Sequence, residues 1–189
     1  MRRAKFERRT SETDVRVELN LDGKGASEVS TGIPFLDHML NSFSAHSLID
    51  LKVLATGDLR HHVVEDVAIC LGEAMRKALG DRAGIKRFGY SIAPMDDALA
   101  LAAVDLVERP YSSVELKVGM LEGIGGLELE HFIRSLAANA RFTVHLEVLR
   151  GFDGHHMAEA AFKALALAMR QALERDERRK GYPSSKGSM

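Results

Sequence analysis

The sequence predicts an internally duplicated α+β fold, in which two β-sheets pack around paired helices. Segments of alternating polar and apolar residues, typical of half-buried strands, recur in both halves of the chain. Strands and helices do not alternate strictly, as they would in a doubly wound fold. A histidine-glutamate cassette occurs twice, about 93 residues apart. We expect one compact unit whose repeat halves span residues 1–93 and 94–189.

The predicted elements follow a similar order in both halves. Alternation and turn signals predict, for the first half, a strand at 14–21, a helix at 34–43, a strand at 49–54 and a helix at 66–79. They predict, for the second half, strands at 98–106 and 112–118, a helix at 127–138, a strand at 142–149 and a helix at 160–173. From residue 174 the chain is charged and then rich in proline, serine and glycine, which by composition alone is typical of a frayed end.

Composition and charge narrow the functional classes. The 26 basic and 27 acidic residues give a net charge of -1, which argues against nucleic-acid binding. No apolar run approaches the roughly 18 residues of a membrane span, and the first nine residues show no secretory signal. The single Cys70 cannot form an intrachain disulfide, as is usual in a reducing cytoplasm. We therefore expect a cytoplasmic protein with no nucleic-acid or membrane partner.

The repeated cassette combines a lone histidine with a later HHxxE run. The separation is 23 residues in the first copy and 24 in the second, and each lone histidine follows an acidic residue. The residues of the two copies are His38, His61, His62, Glu65, His131, His155, His156 and Glu159. Chance similarity between two helices would not match this many spacings, so the pattern indicates a duplicated functional site.

The spacing within the cassette favours a pair of transition-metal sites. Residues four apart on a helix lie on one face, about 5–6 Å apart at Cβ, so the first histidine of each pair can chelate together with its glutamate. The second histidine points roughly 100° away and can reach another ion. The eight ligands divide into three histidines and one glutamate for each of two metals, a set that suits Mn, Fe or Ni. The order of residues differs from the HExxH of zinc proteases, so peptidase chemistry is not inferred.

The sequence resembles the imidazoleglycerol-phosphate dehydratases from about residue 8 to residue 187. The motifs that carry the resemblance are Asp22-Gly23, Thr31-Gly-Ile-Pro-Phe-Leu-Asp-His-Met-Leu40, His61-His-Val-Val-Glu-Asp66, Pro94-Met-Asp-Asp-Ala-Leu99, His155-His-Met-Ala-Glu159, Phe162-Lys163 and Pro183-Ser-Ser-Lys-Gly187. The chain departs from the family pattern in a shortened loop before His61, in Val107-Glu108 before Arg109, and in Asp153 where an asparagine is usual.

The resemblance implies a hydro-lyase of histidine biosynthesis that converts D-erythro-imidazole-glycerol phosphate to imidazole-acetol phosphate and water. It implies two Mn²⁺ ions per chain and a duplicated fold like the second domain of a ribosomal small-subunit protein. It also implies a cubic homo-oligomer of 24 subunits with active sites shared between subunits. By the family pattern, one ion takes His38, His62, His155 and Glu159, and the other takes His61, Glu65, His131 and His156.

The resemblance also assigns residues to the substrate. Glu12 is the candidate for proton transfer, and His46, eight residues after His38, is the next candidate and could line the same pocket. The expected phosphate-binding residues are Arg87, Arg109, Lys163, Ser184, Ser185 and Lys186. Arginine can bind two phosphate oxygens at once, whereas lysine acts as a point charge. A serine-serine-lysine run would make the tail a phosphate clamp.

The chemistry of this substrate explains the need for metal. No carbonyl acidifies its C–H bond, so the imidazole ring must serve as the electron sink. A ring held as imidazolate can expel the hydroxyl of the adjacent carbon to give a diazafulvene-like intermediate, and proton loss then yields an enol that becomes the ketone. Two other functional classes are also compatible with the sequence. A metal-storage module would need no anion clamp, and a dimetal phosphohydrolase would show more bridging aspartates.

Overall fold

The computed structural model describes residues 2–179 and 181–186 and contains two similar units of sheet and helix. The elements of the first unit are β1 (Arg3–Arg9), β2 (Thr13–Asn20), β3 (Ser27–Ser30), α1 (Pro34–Ser47), β4 (Asp50–Gly57) and α2 (Arg60–Leu79). Those of the second are β5 (Phe88–Met95), β6 (Ala98–Asp105), β7 (Tyr111–Glu115), a short ribbon of β8 (Met120–Leu121) and β9 (Ile124–Gly125), α3 (Gly126–Ala140), β10 (Thr143–Arg150) and α4 (Gly154–Leu173).

The two sheets share one topology, which confirms the duplicated α+β fold. The first sheet has the order β1-β2-β4-β3 and the second the order β5-β6-β10-β7. In each sheet the last pair is parallel and the other pairs are antiparallel. Because β5 pairs with β6 along its whole length, we propose that the repeat boundary lies within residues 80–87, ahead of β5, instead of at residue 93.

The helices lie between the two sheets, as the sequence predicted. α1 and α2 cover the first sheet, α3 and α4 cover the second, and the helices meet in the pairs α1–α4 and α2–α3. The alternation in β2 places Val15, Val17 and Leu19 in the core under α2. At the middle of α2, a Cβ on Gly72 would lie 2.9 Å from the carbonyl oxygen of Leu136, so the absence of a side chain allows α2 and α3 to approach closely.

Both cassette helices begin directly before their HHxxE runs, at residues 60 and 154, as the i,i+4 spacing of the chelating residues predicted. The HHxxE runs therefore occupy the first turns of α2 and α4. On α4, the Asp153 side chain caps the helix by accepting from the backbone N–H groups of His155 and His156. The departure from the family pattern at Asp153 thus supplies a standard N-cap residue.

The strand β5 was missed because its apolar residues point away from the helices. Its inner face carries Gly89, Ser91 and Ala93, and the Ser91 hydroxyl donates to the Ala164 carbonyl of α4 at 2.8 Å. A side chain at Gly89 would overlap the backbone of α4. The inward face of β5 therefore requires small residues, whereas an inward strand face is usually recognised in a sequence by its large apolar residues. Strands β1 and β3 and the β8–β9 ribbon were also not predicted.

Arg82 ties the segment after α2 to the end of α3. Its guanidinium group is almost fully buried and donates to the carbonyls of Arg141 at 2.7 Å and Ala140 at 2.8 Å. These carbonyls lie at the C-terminal end of α3, where helices have unpaired acceptors and favour positive charge. Arg82 thus joins the two repeat halves.

Among the described residues, no helix is both long and apolar enough to cross a membrane.

The contact between β5 and α4 can be tested at Gly89. Gly89→Ala places a methyl group against the α4 backbone, and relieving the overlap should cost about 1–3 kcal/mol of unfolding free energy. We expect a lower thermal unfolding midpoint at fixed protein concentration. Gly119→Ala is the matched control, because a Cβ there meets open space. Equal midpoints for the two variants would contradict the close packing of β5 on α4.

Candidate metal centre

The helix pairs bring each lone histidine to the histidine pair of the other repeat half. His38 lies on α1 and meets the start of α4, whereas His131 lies on α3 and meets the start of α2. Two groups of ligand-type side chains result, and within each group the ligand atoms lie within 4.8 Å of one another. The α1–α4 cluster comprises His38, His155 and Glu159, and the α2–α3 cluster comprises His61, Glu65 and His131.

In the α1–α4 cluster both imidazoles face one carboxylate. Nε2 of His38 lies 3.3 Å and Nε2 of His155 lies 3.5 Å from Oε2 of Glu159. Phe35 packs its ring edge-on against His155, with 5.1 Å between centroids, and helps to fix that imidazole. Burial would raise the pKa of Glu159, but hydrogen bonds from Lys163 and His38 bring it below its ordinary value. The carboxylate is therefore held in its ligating, ionised form.

The α2–α3 cluster repeats this arrangement in a more exposed setting. Nε2 of His61 lies 3.8 Å from one oxygen of Glu65, and Nε2 of His131 lies 3.7 Å from the other. The two imidazole rings are stacked, with centroids 5.5 Å apart. Two atoms that each lie about 2.1 Å from a shared ion are roughly 3–4 Å apart. The spacings in both clusters therefore fit a bound transition metal, and the imidazole-carboxylate donor set suits one.

The second histidine of each pair lies outside both clusters and faces other carboxylates. Nδ1 of His62 is 2.9 Å from Asp58, and Nδ1 of His156 is 2.6 Å from Asp97. The hydrogen bond between Asp58 and His62 raises the pKa of the His62 imidazole and lowers the pKa of the Asp58 carboxyl group. Asp97 likewise raises the pKa of His156.

The pKa of Asp97 is lowered first by its hydrogen bond with His156 and then by the backbone N–H groups of Phe152 and Asp153. Asp58 and Asp97 were not predicted from the sequence as residues of the site. For Asp58, the available signal was its position four residues before His62, just ahead of the predicted helix.

The two proton-transfer candidates lie in different places. Glu12 lies in the β1–β2 turn, and its side chain reaches within 3.7 Å of Nδ1 of His62. His46 lies in the last turn of α1, about 12 Å along the helix axis from His38. The geometry thus places Glu12, but not His46, beside a cassette histidine.

Most of the phosphate-binding candidates gather at the opposite end of the second sheet. Arg87 forms a two-point ion pair with Asp105 and donates to the carbonyl of Pro183 at 2.7 Å. This contact brings the tail residues 184–186 to the start of β5, and Arg109, with an exposed side chain, precedes β7 at the same end. The eight-residue β5 is roughly 25 Å long. The β5–β6 turn at its other end contacts His156, next to His155 of the α1–α4 cluster. Within one chain, the phosphate-binding group therefore lies far from that cluster.

Lys163 is the exception, because it lies at the metal centre itself. Its Nζ is 2.9 Å from Oε1 of Glu159, one helical turn away on α4. The structure thus pairs Lys163 with a cluster carboxylate. The tail is described through residue 186, and the backbone N–H of Lys186 donates to Ser184 Oγ at 3.1 Å. Gly187 of the tail motif lies outside the described residues.

Comparison with known proteins agrees with this geometry. The family model described as imidazoleglycerol-phosphate dehydratase matches residues 31–169. A protein of that name from Moorella thermoacetica is 48% identical and covers 98% of this chain and 97% of its own length. One from Caldanaerobacter subterraneus subsp. tengcongensis is 49% identical, with 99% of both chains covered.

Solved structures show the same likeness. The crystal structure of the Pyrococcus furiosus dehydratase is similar with a TM-score of 0.85 at 41% identity, covering 97% of this chain and 99% of that one. The Staphylococcus aureus structure gives a TM-score of 0.83 at 33% identity, covering 91% and 99%. The family model spans more than half of the chain, and the identity is high over nearly its full length. The chain belongs to the imidazoleglycerol-phosphate dehydratase family, whose members are hydro-lyases.

Proposed function

We propose that this chain dehydrates D-erythro-imidazole-glycerol phosphate to imidazole-acetol phosphate and water in histidine biosynthesis. The observation that carries the proposal is the pair of three-ligand clusters at the starts of α2 and α4, in a chain of this family. We also propose a cytoplasmic location, since the single free Cys70 is compatible with a reducing compartment.

Two Mn²⁺ ions per chain are proposed as cofactors, one at each cluster. The α1–α4 cluster supplies His38, His155 and Glu159, and the α2–α3 cluster supplies His61, Glu65 and His131. Each cluster thus provides three of the four ligands expected for its ion. His62 and His156 are the remaining histidines of the cassettes, and the family pattern assigns each to the ion of the cluster on the other cassette helix.

This division of ligands supports sites shared between subunits. His62 lies on α2 beside His61, with 6.3 Å between ring centroids, yet it is assigned to the ion of the α1–α4 cluster. His156 stands in the same relation to His155 on α4, with centroids 6.1 Å apart. We therefore propose that these two histidines complete clusters of neighbouring subunits. The phosphate-binding group lies at the far end of the second sheet, away from the metal centre of its own chain. We propose that it acts at the metal centre of a neighbouring subunit.

The outer face of the second sheet supports self-association. Phe88, Tyr90 and Ile92 point outward from β5 and are between 57% and 73% exposed, and Tyr111 on β7 is 58% exposed. The outer face of the first sheet is instead covered by ion pairs, such as Lys5 with Glu18. An apolar sheet face rimmed by polar residues is typical of an interface. We propose that it is covered in the homo-oligomer, for which 24 subunits are expected.

The mechanism assigns distinct tasks to the side chains. When bound, the metal ions supply Lewis acidity that lets the substrate imidazole act as the electron sink. The hydroxyl on the carbon next to the ring leaves first. Glu12 then removes the proton from the carbon that becomes the ketone, so that in sum the hydroxyl and this proton are lost as water. The resulting enol shifts its hydroxyl proton to the carbon next to the ring and becomes the ketone. Lys163 holds Glu159 in place. The phosphate is bound by Arg87, Arg109, Ser184, Ser185 and Lys186, with Lys163 contributing charge from the metal side.

Neither alternative accounts for the whole arrangement. A metal-storage module needs no arginine that holds a serine-lysine tail, yet Arg87 donates to the Pro183 carbonyl. A dimetal phosphohydrolase normally bridges its ions with aspartates, whereas each of these clusters has one glutamate and two histidines. The dehydratase proposal explains both features.

Metal content and activity provide the first test of the proposal. We expect about two manganese ions per chain after reconstitution, and ketone formation from imidazole-glycerol phosphate that stops when a chelator removes them. His61→Ala should lose one ion, because His61 chelates together with Glu65. Elemental analysis that finds one ion or none in the wild type would exclude the two proposed sites, and product formation by the metal-free protein would exclude the metal-dependent mechanism.

Assembly should depend on metal, because each ion joins ligands of different subunits. We expect light scattering to show that the large oligomer dissociates into smaller species when metal is removed, and that it re-forms when Mn²⁺ is returned. Tyr90→Lys should weaken assembly even with metal present, whereas Lys5→Gln on the charged first sheet should not. A metal-free oligomer of unchanged size would remove the claim of shared sites.

Proton transfer and phosphate binding should separate in two variants. Glu12→Gln removes the base while retaining size, so kcat should fall about 10²–10⁴-fold with metal content unchanged. Deletion of residues 183–189 removes the tail held by Arg87, so KM should rise while both ions stay bound. Near-normal turnover of Glu12→Gln would make His46 the next candidate. An unchanged KM after the deletion would return the tail to the frayed end that its composition suggests.

A further inference from the structure

We infer that Asp58 and Asp97 are positioning residues of the metal centre. Each fixes Nδ1 of the second histidine of a cassette pair, so that Nε2 is the nitrogen presented to a metal ion. The inference deepens the proposed function and rests on its two-metal sites. Neither aspartate belongs to the ligand set or to the expected substrate-binding residues.

The hydrogen-bond geometry determines which nitrogen is available. Nδ1 of His62 lies 2.9 Å from Oδ1 of Asp58, and Nδ1 of His156 lies 2.6 Å from Oδ1 of Asp97. An ionised carboxylate can only accept a hydrogen bond, so Nδ1 must be the donor. A neutral imidazole that carries its proton on Nδ1 has its lone pair on Nε2. Each carboxylate therefore selects the tautomer that ligates through Nε2.

The four histidines of the clusters follow the same rule. His38, His61, His131 and His155 all turn Nε2 toward the cluster glutamates. On His155 the opposite nitrogen is also held by an acid, since Nδ1 lies 2.7 Å from Glu122 in the β8–β9 turn. All six cassette histidines would then ligate through Nε2. His62 and His156, whose proposed ions lie at clusters of neighbouring subunits, are the two that depend on Asp58 and Asp97.

The duplication shows that the two halves reach this result differently. Glu12 and Asp97 are equivalent, because each is the last turn residue before the second strand of its half. In the second half, Asp97 bonds His156 and also accepts from the backbone N–H of Phe152 at 2.5 Å and of Asp153 at 3.1 Å.

In the first half, Glu12 stays 3.7 Å from Nδ1 of His62, and Asp58 at the start of α2 takes the contact. The second histidine is therefore held from the segment just before α2 in the first half and from the β5–β6 turn in the second half. Glu12 lies outside the 2.9 Å contact with His62.

The test measures metal affinity of the assembled holoenzyme by competition with a chelator, for Asp58→Ala and Asp97→Ala. Loss of an outer carboxylate typically costs about 10–100-fold in metal affinity. We expect each variant to weaken one of the two ions by this factor and to leave the other as in the wild type. Asp58→Asn and Asp97→Asn, which retain an acceptor oxygen without its charge, should fall in between.

Glu12→Gln is the matched control, because it removes a carboxylate that faces the same His62 nitrogen from 3.7 Å instead of 2.9 Å. Its two ions should be held as tightly as in the wild type. A wild type without two ions would overturn the metal sites themselves. Two tightly held ions in the wild type and in both alanine variants would overturn the positioning role alone, and so would equal weakening of both ions in either variant.

Discussion

The contact of α1 with α4 and of α2 with α3, between two sheets of equal topology, is the constraint on which the metal centre depends. Each helix pair joins elements of opposite repeat halves, so neither half can build a cluster alone. His38 reaches Glu159 only because α1 packs on α4. The glycines at 72 and 89 permit this packing, the first between the helices and the second between β5 and α4.

The histidine pairs gain their function from the position of the helix starts. Adjacent residues on a helix diverge by roughly 100°, so each pair directs one imidazole into its own cluster and the other toward a carboxylate, Asp58 or Asp97. We propose these second imidazoles as the links to neighbouring subunits. This arrangement explains why metal binding, assembly and catalysis are expected to be inseparable in such a chain. It also gives a role to Asp58 and Asp97, the carboxylates that contact the second imidazole of each pair.

Much of this could be predicted from the sequence, because the signals are local. The alternation in β2 and the HHxxE spacing gave the core and the ligand types without reference to distant residues. The strand β5 escaped detection because α4 packs so closely that only small residues fit inward, and its large residues face outward. Asp97 escaped detection because a turn acid reveals its partner only when the chain is folded. The grouping of His38 with the α4 cassette depends on helix pairing, which no local pattern specifies, so only the family resemblance predicted it.

The proposed mechanism and assembly both require that the two clusters hold two transition-metal ions. Anomalous diffraction at the manganese edge, from crystals of the Mn-reconstituted protein, tests it most directly. We expect two peaks per chain, one among His38, His155 and Glu159 and one among His61, Glu65 and His131, each with a fourth imidazole from another subunit. A single peak, peaks elsewhere, or two ions whose ligands all come from one chain would contradict it.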